Sequence, residues 1–409
     1  LESLELYTQK SGDEIVGQLY NFTDKGGREV ALRPEMTPTV ARLVGARAAA
    51  LPKPVRWFSI PQLFRYERQQ KGRLREHFQL NVDIFGEADT LADAELLAVA
   101  LEIMRAFGLG PDDVRARVSD RRLLNALLSH LQIDDTQAST VYAVLDKLER
   151  QPRDVSAEKL AAAGLSAATV DAVLAFGTLT FDDALATYGS SPVVKPELAR
   201  FATYREHLAA LGVLDYVHFD LSIVRGLAYY TGIVFELFDA TGEFRAICGG
   251  GRYDTLLKSL GGSDMPALGF GMGDVVLGEL LKARGKLSST LARPDLWLVP
   301  DEGADVTQVL RAAAALRRHD FAVVHVLDAD RLWNRKPRTQ LQDAQRQGAR
   351  LGMRVLPGAA AEVIDFGRAD GGSARRLDLA PLFADDPALA VPLVAQLREL
   401  LAPDAPVLT

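Results

Sequence analysis

From about Asp120 to Ala210 the chain reads as one amphipathic helix after another, while the text on both sides reads as short strands and turns. Arg121–Leu128 and Val141–Leu148 repeat their apolar residues at helical spacing,. Before them come strand-like runs, Gln18–Phe22 ahead of Asp24-Lys-Gly-Gly27 and Arg56–Ile60 closed by Pro61, then a helix from near Ala92 to Phe107 that Gly108 stops,. After them strands return at Tyr216–Phe219 and Ile233–Phe238, followed by Gly249-Gly-Gly-Arg252 and by Ala267–Gly273, which opens a helix. Few folds accommodate this order. Strands grouped together point to an antiparallel sheet rather than alternating βα units, interrupted by a helical insertion.

Beyond Arg293-Pro294 the pattern changes again. Strand Leu296–Pro300, helix Val306–Arg318, strand Phe321–Val326, helix Arg338–Ala349 and strand Met353–Leu356 alternate as in a small α/β domain,. A length of 409 residues fits two or three domains, and 48% hydrophobic against 25% charged residues supplies their cores,. The net charge of −7 excludes a surface that coats nucleic acid indiscriminately, though not a local basic site,. A single cysteine, Cys248, excludes an internal disulfide and a cysteine-based metal site, and fits a reducing cytoplasm,. It reads as small buried packing. No apolar run approaches the ~20 residues that cross a bilayer. The opening at Leu1-Glu2 reads as mid-domain, so a preceding segment is expected.

Four segments carry chemistry. In Phe64–Gln79, Arg65, Arg68, Lys71, Arg73 and Arg75 crowd around Gly72 between two strand-like runs. A cation-lined hairpin suits a polyanion, and the glycine lets it turn sharply. A merely solvated loop is the plain alternative, and the flanking strands with Glu67, Gln79 and Asp83 weigh against it,. Leu32-Arg-Pro-Glu-Met-Thr37 fixes a turn at Pro34 and offers the Glu35 carboxylate and Thr37 hydroxyl to an ammonium group,. Asp220–Glu236 sets Tyr229 and Tyr230 after Arg225-Gly226, as pocket walls or as ordinary strand residues,. Gly249–Asp254 and Gly269–Gly273 allow close backbone approach, and no Gly-Lys-Ser/Thr follows to make a Walker loop,. His77 and His218 read as structural, since the six histidines lack metal-ligand spacing,.

In order and spacing these segments resemble the histidyl-tRNA synthetase family. Leu32–Thr37 looks like its Leu-Arg-Pro-Glu-x-Thr element, Phe64–Gln79 like class II motif 2, and Arg225–Glu236 like its Arg-Gly-Leu-x-Tyr-Tyr-Thr-Gly signature. The glycine segments look like the last active-site strands and the start of motif 3. The resemblance implies an α+β fold: a class II catalytic core over residues 1–116 and 213–290, its antiparallel sheet of six to seven strands flanked by helices, a helical insertion at 117–212, and a C-terminal α/β anticodon-binding domain at 295–409. It implies histidine–tRNA ligase activity with ATP and Mg²⁺, tRNA(His) as partner, a homodimer, and no metal held by protein ligands alone. Arg65 and Arg225 would flank the α-phosphate, with Glu67 and Arg73 on the nucleotide. Glu35, Thr37 and Gln79 would take the α-ammonium, while Asp83, Tyr229 and Tyr230 would read the imidazole. Arg335, Lys336, Arg338 and Arg346 would face an anticodon stem or simply solvent.

Two positions depart from the family. Ala228 stands where members often carry Asp, and Val276 where motif 3 usually carries the arginine that grips the γ-phosphate. Arg252 is the expected substitute cation. Both departures would also suit a non-catalytic relative, the regulatory subunit of ATP phosphoribosyltransferase. A detached module that senses uncharged tRNA is the remaining reading.

Overall fold

The computed structural model of the chain describes residues 1–8, 16–68, 72–224, 230–287, 293–325, 335–367 and 374–402. It divides into two units, Leu1–Leu287 and Ser288–Thr409.

The first unit opens with a small sheet of β1 (Glu2–Ser3), β2 (Asn21–Thr23) and β3 (Glu29–Ala31). The large sheet follows, built from β4 (Val55–Ser59), β5 (Gln62–Phe64), β6 (Glu76–Phe85), β7 (Val114–Asp120), β8 (Val217–Phe219), β9 (Ile233–Asp239), β10 (Cys248–Arg252) and β11 (Ala267–Gly273). Their order is β4-β6-β11-β10-β9-β7-β8, with β5 also on β6. The expected six to seven strands are thus eight, because β5 shares β6 with β4. Pairing is antiparallel except between β7 and β8. That parallel step follows from the helices: β8 re-enters the sheet only after they have carried the chain back to the start of β7.

Side chains alternate across a strand, so register sorts them between two faces. Leu268, Phe270 and Met272 of β11 pair with Ile84, Val82 and Leu80 of β6 on one face. Helix α2 (Thr90–Ala106) covers that face, and α1 (Thr37–Gly45) precedes it in the chain. The opposite face carries Gln79, Asn81 and Asp83 on β6, paired with Gly273, Gly271 and Gly269 on β11. One face is an apolar core; the other is polar and short of side chains.

Asp120 ends β7 and caps the next helix, its carboxylate accepting from the Arg122 amide at 2.9 Å,. The helices therefore start at Arg121, and the strand occupies the first residues of the span expected to be helical from 117. They are α3 (Arg121–His130), α4 (Asp135–Leu145), α5 (Arg153–Ala162), α6 (Ala167–Ala175), α7 (Phe181–Tyr188) and α8 (Lys195–Ala210). They share one buried apolar cluster with α2 and the sheet. Phe181 and Phe201 of the helices meet Phe219 of β8 with ring centroids 5.9 and 5.2 Å apart,. Helix α9 (Asp274–Ala283) follows β11 directly.

The second unit has its own core. It runs β12 (Leu296–Pro300), α10 (Val306–Arg318), β13 (Val323–His325), α11 (Pro337–Arg346), β14 (Leu351–Leu356), β15 (Ala360–Asp365), β16 (Arg375–Asp378) and α12 (Val391–Leu401). Strand order is β13-β12-β14-β15-β16, parallel through β14 and antiparallel beyond. The antiparallel edge was not anticipated from sequence. Its signal is short, Ala361 and Val363 alternating inward on β15.

Candidate active site

The polar face of the large sheet is built around Asp83, which is 1% exposed. Its Oδ1 accepts from the Thr37 hydroxyl at 3.3 Å and from the Tyr253 hydroxyl, while its Oδ2 accepts from Asn81 Nδ2 at 3.3 Å. Asn81 Nδ2 also donates to Thr37 Oγ1 at 3.0 Å, and Asn81 Oδ1 accepts from Gln79 Nε2 at 2.6 Å. Gln79, Asn81 and Asp83 thus form one ladder along β6. Burial pushes the Asp83 carboxyl up to about 6, against the pull of its three donors, with Glu35 adding like-charge repulsion,.

The floor beside this ladder must be glycine. A Cβ on Gly269 would overlap Asp83 Oδ1, and one on Gly271 would overlap Gln79 Nε2. Glycine on β11 leaves room for these polar groups to lie flat on the sheet. Thr37 opens α1, where Pro38 in the first turn costs no hydrogen bond,. Glu35 is buried in the turn just before it, and Tyr230, half-buried, packs with Met36 against the cluster that holds Tyr253.

The basic hairpin joins this pocket through Arg65, whose Nε donates to the Pro34 carbonyl at 2.9 Å. Glu67 sits between two guanidinium groups, 4.0 Å from Arg65 and 2.5 Å from Arg73. Arg75 lies 4.3 Å from the Tyr66 ring centroid. Gly72 adopts φ +79°, the sharp turn expected of it,. Lys71 lies outside the described residues.

Two polar partners of Asp83, Asn81 and Tyr253, were missed by sequence reasoning. Asn81 was legible, since it stands midway between Gln79 and Asp83 at the strand period. Tyr253 was not, because its reach to Asp83 depends on how the chain turns after β10. His77, expected to be structural, shares the face of Gln79 at the hairpin end. Burial and then the Arg65 charge lower its pKa, against the pull of Asp274 and Glu67,. Arg225, Ala228 and Tyr229 lie outside the described residues.

Residues 1–273 match the family model described as histidyl-tRNA synthetase. The chain belongs to the histidyl-tRNA synthetase family. Over 335 residues it is 46% identical to the histidine–tRNA ligase of Opitutus terrae, covering 80% of this chain and 76% of that protein. In structure it is similar to the histidyl-tRNA synthetase from Nostoc sp. PCC 7120, with a TM-score of 0.77 at 22% identity over 97% of this chain and 89% of that one. It is also similar to an ATP phosphoribosyltransferase regulatory subunit/histidyl-tRNA synthetase from Bacillus halodurans C, with a TM-score of 0.69 at 23% identity over 87% of each chain. The fold is common to both, so fold does not separate them.

Within this synthetase fold Arg252 departs from its expected role. Register puts it opposite Leu268 on the helix-covered face, not beside Gly249 and Gly251. Its side chain is 2% exposed, and Nε and NH2 bind Asp93 of α2 at 3.0 and 2.6 Å. NH1 donates to the Glu87 carbonyl at 2.9 Å, and NH2 also donates to the Asp89 carbonyl at 3.2 Å. A guanidinium committed in this way beneath the sheet has no path to a phosphate. Arg252 therefore leaves the ATP set. Cys248, on the same covered face, is buried in the apolar cluster.

Proposed function

We propose that the chain activates histidine with ATP and transfers it to tRNA(His). The observation that carries this reading is the Thr37–Asn81–Asp83–Tyr253 network over a glycine floor, inside the part of the chain that matches the synthetase family. A neutral imidazole has one N–H and one bare nitrogen, so a fixed carboxylate with hydroxyls around it selects histidine over apolar isosteres. Asp83 accepts the imidazole N–H, with Tyr229 and Tyr230 beside the ring. Glu35, Thr37 and Gln79 take the α-ammonium.

The histidine carboxylate then attacks the α-phosphorus, and pyrophosphate leaves. Arg65 holds carboxylate and phosphate together, and Arg225 stabilises the charge that builds on the phosphate in the transition state. Glu67 and Arg73 line the nucleotide side. In the second step a ribose hydroxyl of the tRNA 3′ end attacks the activated carbonyl and AMP leaves. Mg²⁺ neutralises phosphate charge when bound. The residues fit such an ion, which keeps several waters and takes phosphates plus one or two carboxylates. Among the described residues no group of three or more ligating side chains is found. Glu236, paired with Gly249 on the polar face, is a carboxylate that would take the ion there.

We read the assembly as a homodimer. Support comes from β4, an outer strand of the sheet, where Trp57, Phe58 and the following Ile60 are 41%, 74% and 62% exposed,. A cytoplasmic location is supported by the unpaired buried cysteine,. No helix among the described residues is long and apolar enough to cross a membrane.

Amino-acid-dependent ATP–pyrophosphate exchange tests the whole reading. Exchange driven by histidine alone is expected. Its absence from a folded protein would favour the regulatory-subunit reading, which Ala228 and Val276 at the motif 3 position also suit.

A further inference from the structure

Three strand ends meet at one edge of the polar face. Gln79 near the start of β6 pairs with Gly273 at the end of β11, and Met272 pairs with Cys248 at the start of β10. The basic hairpin leads into β6 there, and α9 leaves β11 there, so the segment 240–247 before Cys248 reaches the same corner. That segment is a built loop. Asp239, 2% exposed, accepts from the Glu243 and Phe244 amides at 3.0 and 2.9 Å and from the Thr241 hydroxyl at 2.5 Å. Ile247 closes it by donating to the Leu237 carbonyl at 2.7 Å.

At the tip of the corner a Cβ on Gly72 would lie 3.5 Å from Val276 Cγ2 and 3.9 Å from Arg245 Cδ. Gly72 is the turn of the basic hairpin, and Val276 lies in the first turn of α9. The exposed Arg245 side chain therefore runs where the hairpin tip meets the first turn of α9. A nucleoside triphosphate placed along the hairpin would bring its polyanionic tail to this junction, where Val276 has no charge to offer. A planar guanidinium binds phosphate oxygens in pairs. We propose that Arg245 binds the terminal phosphates of ATP and does the work of a cation at position 276. This inference rests on the ligase reading above, because it takes ATP as the occupant of the hairpin.

The test uses the full-length protein. Arg245→Ala is expected to raise the ATP KM in histidine-dependent exchange about tenfold, leave the histidine KM within about twofold, and leave the melting temperature unchanged. Arg245→Lys should recover part of the loss. Adding Val276→Arg to Arg245→Ala should recover most of it, since the two positions share one corner. Calorimetric binding of ATP and of AMP then separates phosphate recognition from general damage. Arg245→Ala should weaken ATP about tenfold and leave AMP unchanged. Equal weakening of both, or ATP binding at the wild-type level, overturns the proposal. Wild-type protein without histidine-driven exchange would overturn the ligase reading instead, while the ATP-against-AMP comparison would still judge Arg245.

Discussion

Asp83 and Arg252 are both buried charges, and they serve opposite ends. Asp83 has hydroxyl and amide donors but no cation in contact, and burial dominates, so its carboxyl titrates near 6. A folded-state pKa raised above the unfolded value favours folding at low pH, and that advantage is lost as pH rises. The window lies between about 4 and about 6, and the shift is worth roughly 3 kcal/mol. Relative to Asp83→Asn, the native protein should therefore lose stability across this window and run parallel above it. Urea unfolding of both proteins at either end of the window checks this, and a pH-independent difference would remove the shift. The same titration removes the imidazole acceptor, so the histidine KM of the native protein should climb below about pH 6. Arg252 is instead paired through its whole guanidinium. Arg252→Met should destabilise the first unit by about 3–5 kcal/mol through the Asp93 charge left behind. The ATP KM of the folded fraction should stay at the native value. A stable variant with weakened ATP binding would return Arg252 to the nucleotide.

At the scale of elements, β6, β10 and β11 act as a sheet with one face reserved. Its polar ladder lies on β6, and the glycines of β11 give the ladder its room. Gly271→Ala should push Gln79 aside, raising the histidine KM while the ATP KM stays constant, as exchange kinetics at varied histidine and ATP would report. Equal changes in both would mean that the strand itself had been disturbed. Much of this arrangement was legible. The glycine runs, the hairpin and the strand carrying Gln79 and Asp83 all stand in the sequence. Asn81 follows from the strand period, and so does the covered face of Arg252 once Gly249 and Gly251 are assigned to the site. The reach of Tyr253 to Asp83 was not legible, nor was the approach of Arg245 and Val276 to the same turn at Gly72, because both depend on how the chain closes between distant strands.

For the whole molecule, the chain divides into two units with separate cores. Helices α3 to α8 belong to the first core, so they are part of the first unit's body rather than a detachable module. The Leu1–Leu287 unit alone should fold and keep histidine-dependent pyrophosphate exchange, and lose transfer to tRNA by more than about tenfold if the second unit supplies the anticodon contacts. Exchange lost together with transfer would mean that the units are coupled in activation. In the second unit Arg335 and Arg346 both pair with Asp343, at 3.0 and 2.9 Å. Lys336 and Arg338 are exposed on the same stretch. Charge reversal at Lys336 and Arg338 is therefore the direct probe of an RNA-facing surface there.

What the sequence determined by itself is what local pattern can carry: alternation and helical spacing, the glycine turns, and the motif order that marks a histidyl-tRNA synthetase. Strand and helix periods are local, so they survive without knowledge of partners. Which face of a strand meets substrate, which arginine is covered by a helix, and which loop tip reaches Val276 are set by register and by packing between residues far apart in the chain. Those were decided only in the tertiary structure, because a one-residue change of register exchanges the core face for the site face.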